Sequence, residues 1–154
     1  MVRSDRFFRI FLPFLLPFLL GACVNDPEQG GTKLVAGDSL PEFSVTTSSG
    51  EVVTNHILSQ GRSVIVFFST SCDDCRRILP LVEEAYRNSG SGTKYICIAR
   101  DEGEETISRF WEEHRMTLSY SSQPDRRIYS LFADSGIPMI YLTDNGKIIA
   151  VYSE

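Results

Sequence analysis

Two of the chain's four cysteines stand three positions apart in Cys72-Asp73-Asp74-Cys75. A dithiol at that spacing can close to a disulfide and open again, and so pass two electrons to or from another sulfur pair. The preceding segment is Val64-Ile65-Val66-Phe67-Phe68-Ser69, apolar and β-branched or aromatic without alternation. That is how a strand covered on both faces reads. On the C-terminal side of the pair, Ile78, Val82 and Ala85 with Tyr86 recur at helical spacing, so these four are the expected buried face of a helix. The pair therefore sits where a buried strand gives way to a helix N-terminus, whose free N–H groups and dipole favour a thiolate. A zinc site would need further ligands, and Cys23, Cys97, His56 and His114 show no ligand spacing. A purely structural disulfide would close a ring too small to remove much chain entropy. Spacing and position together favour a redox pair.

The elements that must position this pair begin well into the chain. Arg3, Arg6 and Arg9 form a positive start, and Ile10 to Leu20 is an apolar run broken by Pro13 and Pro17. That length suits the core of a signal peptide rather than a membrane span. It ends in Leu20-Gly21-Ala22-Cys23, which resembles a bacterial lipobox. The resemblance implies cleavage after residue 22, lipidation of Cys23, and a domain held at a membrane in the bacterial cell envelope, in the periplasm or at the cell surface. An ordinary secretory signal is the alternative, and both put the thiols outside the cytoplasm. The remaining 132 residues carry a net charge of −7, against −5 for the whole chain. An acidic chain without a basic patch excludes nucleic acid as an expected partner. Residues 23–36, polar and glycine-rich, read as a flexible tether, and residues 37–154 as one domain.

Within that domain, Leu40 to Val45 and Glu51 to Thr54 flank Ser48-Ser49-Gly50 as a hairpin-like lead-in. Asn55 to Ser59 reads as one helical turn. Tyr95 to Ala99 is a second buried strand, with Cys97 expected as a small core hydrophobe. Asp101 to Arg115 opens acidic and puts Ile107, Phe110 and Trp111 on one helical face, with His114 in solvent. Thr117 to Ser121 reads as a short strand, and Asp125 as the cap of a helix over Arg126 to Ala133. Met139 to Thr143 and Lys147 to Tyr152 flank Asp144-Asn145-Gly146, a strong hairpin signal.

This order of elements is similar to the thioredoxin superfamily, and the lead-in and the helix after Asp101 resemble its extracytoplasmic TlpA/ResA-like thiol-disulfide oxidoreductases. Cys72 and Cys75 match the redox pair. Pro80 matches the proline inside the redox helix, and Ile137-Pro138 before a strand matches a cis-proline facing the disulfide. The resemblance implies an α/β thioredoxin-like fold: a central mixed β-sheet flanked by helices, with an N-terminal β-hairpin lead-in. Ser71 replaces a tryptophan common in the family and Ile78 a glutamate common in ResA-like proteins, so those roles are not carried over. The chain ends straight after the last strand, without the terminal helix common in the fold, so one sheet face is expected to be thinly covered or to be covered by a partner.

The resemblance and the helix position agree on roles. Cys72 is the expected nucleophile toward substrate disulfides, Cys75 the resolving thiol, and Pro138 the residue that shields the pair and offers a backbone edge to the substrate. The expected partners are disulfide-bearing envelope proteins and a thiol-donating membrane or envelope reductase; no cofactor and no metal is expected. Asp73 and Asp74 are expected to tune the pair. The helix N-terminus stabilises a thiolate by about 0.3–1 kcal/mol, and two carboxylates within one turn oppose it by a comparable amount once screened. A thiolate with little net stabilisation belongs to a reductant. Two alternatives share the fold. A peroxiredoxin-like peroxidase would want proline at 65 and threonine at 69, where Ile65 and Ser69 stand. A copper-binding metallochaperone tends to space its cysteines by three and add a histidine.

Overall fold

The computed structural model describes residues 31–153. Cys23 and the expected signal segment 1–22 lie outside them. Two short strands, β1 (Ser44–Thr46) and β2 (Val52–Thr54), pair antiparallel as the lead-in, and a single turn of helix, α1 (Asn55–Leu58), comes next, capped by the Thr54 hydroxyl. The central strand β3 (Arg62–Phe68) runs into the long helix α2 (Asp73–Asn88). Then come β4 (Thr93–Ala99), α3 (Glu104–Glu113) and the two-residue strand β5 (Tyr120–Ser121). The hairpin of β6 (Met139–Asp144) and β7 (Lys147–Ser153) closes the described chain.

The main sheet has the order β5-β4-β3-β6-β7, with β3, β4 and β5 parallel and β6 and β7 antiparallel to their neighbours. It is the mixed, helix-flanked sheet that the sequence leads one to expect. The unbroken apolar run of β3 has its reason here. Ile65 and Phe67 face a core built with Phe43, Val53, Tyr129, Phe132 and Tyr141. Val64, Val66 and Phe68 face the other core, with Cys75, Leu79, Ile107 and Trp111. A strand buried on both sides cannot alternate. Asn145 and Gly146 both take positive φ, 47° and 77°, as a two-residue hairpin turn between right-twisted strands requires.

The structure departs from these expectations at several points. The buried stripe of α2 is Cys75, Leu79, Val82 and Glu83, while Ala85 and Tyr86 face solvent. A buried carboxylate, unreadable as a core position, hides the true register. Arg126 to Ala133 does not form an α-helix; only Tyr129–Leu131 winds, as a 3₁₀ turn. Asp125 accepts the Arg127 N–H two residues on, an Asx turn rather than a cap. Ala133 is drawn off into an antiparallel bridge with Thr32. The expected strand over Thr117 to Ser121 is reduced to its last two residues, because the Thr117 and Leu118 N–H groups bond the Glu83 carboxylate instead. The described end of the expected tether, 31–36, lies against the domain: the Lys33 and Leu34 N–H groups bond the Phe132 carbonyl.

On the α2 side of the β6–β7 hairpin the sheet is thinly covered. Ile140 and Leu142 are half-buried, and Tyr152 on β7 and Leu81 on α2 are 57% and 59% exposed. Among the described residues no helix is long and apolar enough to cross a membrane.

Candidate functional site

The sheet register brings three chain segments to one edge. β3 and β4 are parallel with Phe68 opposite Ala99, so the turns that leave them, 69–72 and 100–103, emerge side by side. β6 is antiparallel to β3 with Met139 opposite Phe67, so the segment entering it, Gly136-Ile137-Pro138, arrives at the same edge. Cys72, Cys75 and Pro138 meet there.

Cys72 is the N-cap of α2, in extended conformation (φ −89°, ψ 121°), and its Sγ accepts the Cys75 N–H at 3.4 Å. This puts the sulfur against one of the N–H groups that a helix start leaves free. Its thiol donates toward the Ile137 carbonyl at 3.6 Å, across to the proline segment. Cys72 is partly exposed, whereas Cys75 is fully buried one turn deeper. Burial pushes the Cys75 thiol up to about 12; a hydrogen bond to the Ser69 backbone and the Arg100 charge act against that rise, and the neighbouring Cys72 adds to it. Both cysteines are free thiols, so the site is described in its reduced form.

The Ile137–Pro138 bond is cis, and Pro138 is buried. Its approach is steadied by Tyr129, whose hydroxyl donates to the Gly136 carbonyl at 2.7 Å. Tyr129 lies among the residues of the expected helix, and nothing in its spacing marks this contact. A groove of about 390 Å³ opens beside Pro138, lined by Ile78, Pro138, Ile140, Tyr152 and Ser153, with no charged side chain in it. A larger cavity of about 540 Å³ lies at the opposite end of the sheet, at Thr93 and Lys94, and no cysteine lines it.

Asp73 and Asp74 occupy the first turn of α2. Asp73 is exposed; Asp74 forms an ion pair with Arg77 one turn on, itself largely in solvent. Cys97, inside β4, is wholly buried and its thiol is pushed up, chiefly by loss of solvent and further by the Glu83 charge. It is a core residue, in the same hydrophobic cluster as Cys75. His114 stacks on Phe110 on the exposed end of α3.

Two residues of the site carry no motif. Glu102, in the turn after β4, accepts both the N–H and the hydroxyl of Thr70. Arg100, beside it, donates its N–H to the Phe68 carbonyl at 2.8 Å and pairs its side chain with Asp101. Only the parallel β3–β4 register, which the sequence does not print, puts this turn against the thiols.

The chain is similar to the thiol-disulfide oxidoreductase ResA of Oceanobacillus iheyensis, 24% identical over 89% of this chain and 74% of that protein. ResA of Bacillus subtilis matches at 20% identity over 97% of this chain and 85% of its own. Among solved structures, a Bacteroides thetaiotaomicron protein provisionally described as a protein disulfide isomerase superposes with a TM-score of 0.74. It is 26% identical, over 80% of this chain and 81% of that one. The thioredoxin domain of a thiol-disulfide oxidoreductase from Bacteroides vulgatus gives 0.69 at 22% identity, over 79% and 91%. Residues 36–151 match the AhpC/TSA family, a span that holds the redox loop, α2 and the proline segment together; the chain belongs to that family, with a thioredoxin-like fold and a ResA-like arrangement of elements.

Proposed function

We propose that this protein is a thiol-disulfide oxidoreductase that reduces disulfides in other proteins of the bacterial envelope, held at a membrane through lipid on Cys23. One observation carries the chemical part. A partly exposed thiol caps a helix, 3.4 Å from a helix N–H, with a second thiol buried one turn behind it. The relatives named thiol-disulfide oxidoreductases support the same reading.

In the forward step the Cys72 thiolate attacks one sulfur of the substrate disulfide. An S–S bond forms to Cys72 as the substrate's own breaks, and the other substrate sulfur leaves as a thiolate. Cys75 then loses its proton and attacks the Cys72 sulfur. The second substrate thiol departs, and Cys72 and Cys75 are left as a disulfide. Two electrons have passed to the substrate. A dithiol donor of the envelope restores the pair by the reverse exchange. Pro138 walls one side of the pair, and the backbone beside it offers hydrogen bonds to an extended substrate segment.

The direction of transfer is set by the charges at the helix start. Asp74 is engaged by Arg77, so Asp73 is the carboxylate that chiefly opposes the helix N-terminus. A carboxylate beside the attacking sulfur works against the reduced form, which is the direction of a reductant. Equilibration with glutathione is expected to give a potential nearer about −270 mV than about −120 mV. Replacing both aspartates by asparagine stabilises the thiolate and hence the reduced form, and so moves the potential to more oxidising values. A pair that forms no disulfide in the glutathione titration would end the proposal; a wild-type potential at the oxidising end would reverse its direction.

Anchoring is a separate claim resting on Leu20-Gly21-Ala22-Cys23. In a bacterial host fed labelled palmitate, wild-type protein is expected to take up label and Cys23→Ala to lose it. Equal labelling of the two removes the anchor and leaves the redox chemistry untouched.

A further inference from the structure

We infer that Glu102 is a positioning residue of the thiol site, acting on Cys72 through Thr70; the inference rests on the thiol-disulfide reading above. The turn 69–71 leaves β3 before α2 begins, so the regular ladders of sheet and helix do not supply a partner for the Thr70 N–H. Thr70 is nevertheless only 9% exposed. A buried N–H without an acceptor is costly, and buried backbone donors in native folds almost always find one. Thr70 finds Glu102. One carboxylate oxygen accepts the Thr70 N–H at 2.8 Å, and the other accepts its hydroxyl.

Glu102 is itself tied back. Its carbonyl accepts the Gln123 N–H at 3.0 Å, the Gln123 amide donates to the Ser121 hydroxyl at 2.9 Å, and that hydroxyl donates to the Thr46 carbonyl at 2.6 Å. The redox turn is thus fastened through one carboxylate to β5 and to the lead-in hairpin. Cys72 comes two residues after Thr70. Its extended backbone holds the sulfur at 3.4 Å from the Cys75 N–H and 3.6 Å from the Ile137 carbonyl. Besides these bonds, the Ser69 and Ser71 hydroxyls bond each other, and the Ser69 backbone bonds the Cys75 thiol of α2. Loss of the Glu102 bonds frees Thr70 and lets the sulfur drift from the helix N–H, and a thiol displaced by a fraction of an ångström attacks less often.

The carboxylate also carries charge, and glutamine separates the two effects. In Glu102→Gln the amide oxygen accepts the Thr70 N–H while the amide NH₂ donates to the Thr70 hydroxyl. Position is kept and charge removed. Glu102→Ala removes both, and Thr70→Val removes one of the two bonds.

The full chain and these three variants, reduced with dithiothreitol, are compared in insulin-disulfide reduction. In parallel the rate of iodoacetamide labelling of Cys72 is followed against pH. Glu102→Ala is expected to lose about tenfold in kcat with KM little changed, and to shift its labelling profile to higher pH. Glu102→Gln is expected to recover most of both, and Thr70→Val to fall between. A wild-type rate and profile in Glu102→Ala overturns the inference. So does a Glu102→Gln as slow as Glu102→Ala, which would make charge the operative property. If Glu102→Ala does not fold, Thr70→Val with wild-type kinetics overturns it equally. Wild-type protein that does not reduce insulin would defeat the underlying reading instead, and the labelling profiles would still show whether Glu102 holds Cys72.

Discussion

Cys75→Ser will hold substrate proteins as mixed disulfides through Cys72, and Cys72→Ser will hold almost none. The asymmetry comes from exposure. A substrate disulfide can reach the partly exposed Cys72 sulfur, which already sits on a helix N–H. It cannot reach Cys75, which is fully buried and whose thiol burial raises to about 12. A thiol held protonated in this way does not open an attack at neutral pH. Turnover in either variant is expected to fall at least about a hundredfold, because each lacks one of two obligatory sulfurs. Non-reducing electrophoresis of alkylated lysates, followed by mass spectrometry of the adducts, reads the result. Adducts that gather on Cys72→Ser instead would exchange the two roles.

A resolving thiol must ionise, and the high Cys75 value stands against that in the resting site. The causes of the shift show how the obstacle is lifted. Desolvation comes first, but the hydrogen bond and the charge of Cys72 also push the Cys75 thiol up. Once Cys72 is bound in a mixed disulfide it carries no charge, and both of those contributions disappear. The Ser69 backbone bond and the Arg100 charge, which favour the thiolate, remain. Cys75 is therefore held protonated while Cys72 waits for substrate and becomes easier to ionise after Cys72 has reacted.

How much of the fold and site is legible in the chain depends on whether a residue's partners are near it in sequence. The Cys-x-x-Cys at a strand-to-helix junction, the cis bond at Ile137–Pro138 and the Asn145-Gly146 turn are local patterns, and each appears where the residues indicate. The stripe of α2 reads one step out of place because Glu83 occupies a core position, and a Glu83-Glu84 pair reads as a solvated face. The helix expected over Arg126 to Ala133 has adequate helix formers. It is overridden because Tyr129 is wanted under Gly136 and Ala133 beside Thr32. Glu102 is invisible in the sequence for the same reason as Glu83. Each carboxylate serves backbone N–H groups 32 to 35 residues away, and a backbone N–H has no identity in a sequence.

Glu83 gives the largest expected effect on stability. Its side chain is 7% exposed and accepts four hydrogen bonds: the Thr117 N–H at 2.9 Å, the Thr117 hydroxyl at 2.6 Å, the Leu118 N–H at 2.9 Å and Arg87 at 2.8 Å. Arg87 also donates to the Arg115 carbonyl at 2.9 Å, so one turn of α2 grips the whole 115–118 segment that leads into β5. Arg87 is more than half exposed, and water can replace its partner. The Leu118 N–H, on a residue 2% exposed, has no such relief. Glu83→Ala is therefore expected to cost about 2–4 kcal/mol, chiefly through that stranded donor, and to lower the melting temperature by about 10 °C. Glu83→Gln has one acceptor oxygen where four donors converge and is expected to lie between alanine and wild type. The dependence on pH separates the carboxylate from mere side-chain volume. Burial acts to raise the Glu83 carboxyl, but the bonds from Thr117, Leu118 and Arg87 outweigh it and hold the group below the usual carboxylate range. A folded-state value below the unfolded one, about 4.3, gives stability that is fully present above pH 4–5 and is lost as pH falls through the folded value. The gap between wild type and Glu83→Gln should then be constant from pH 7 to about 5 and close on further acidification, since protonated glutamate and glutamine offer the site similar groups. Urea unfolding at a series of pH values measures it. A gap that stays the same down to about pH 3 would show that the charge of Glu83 does not hold α2 to the 115–118 segment.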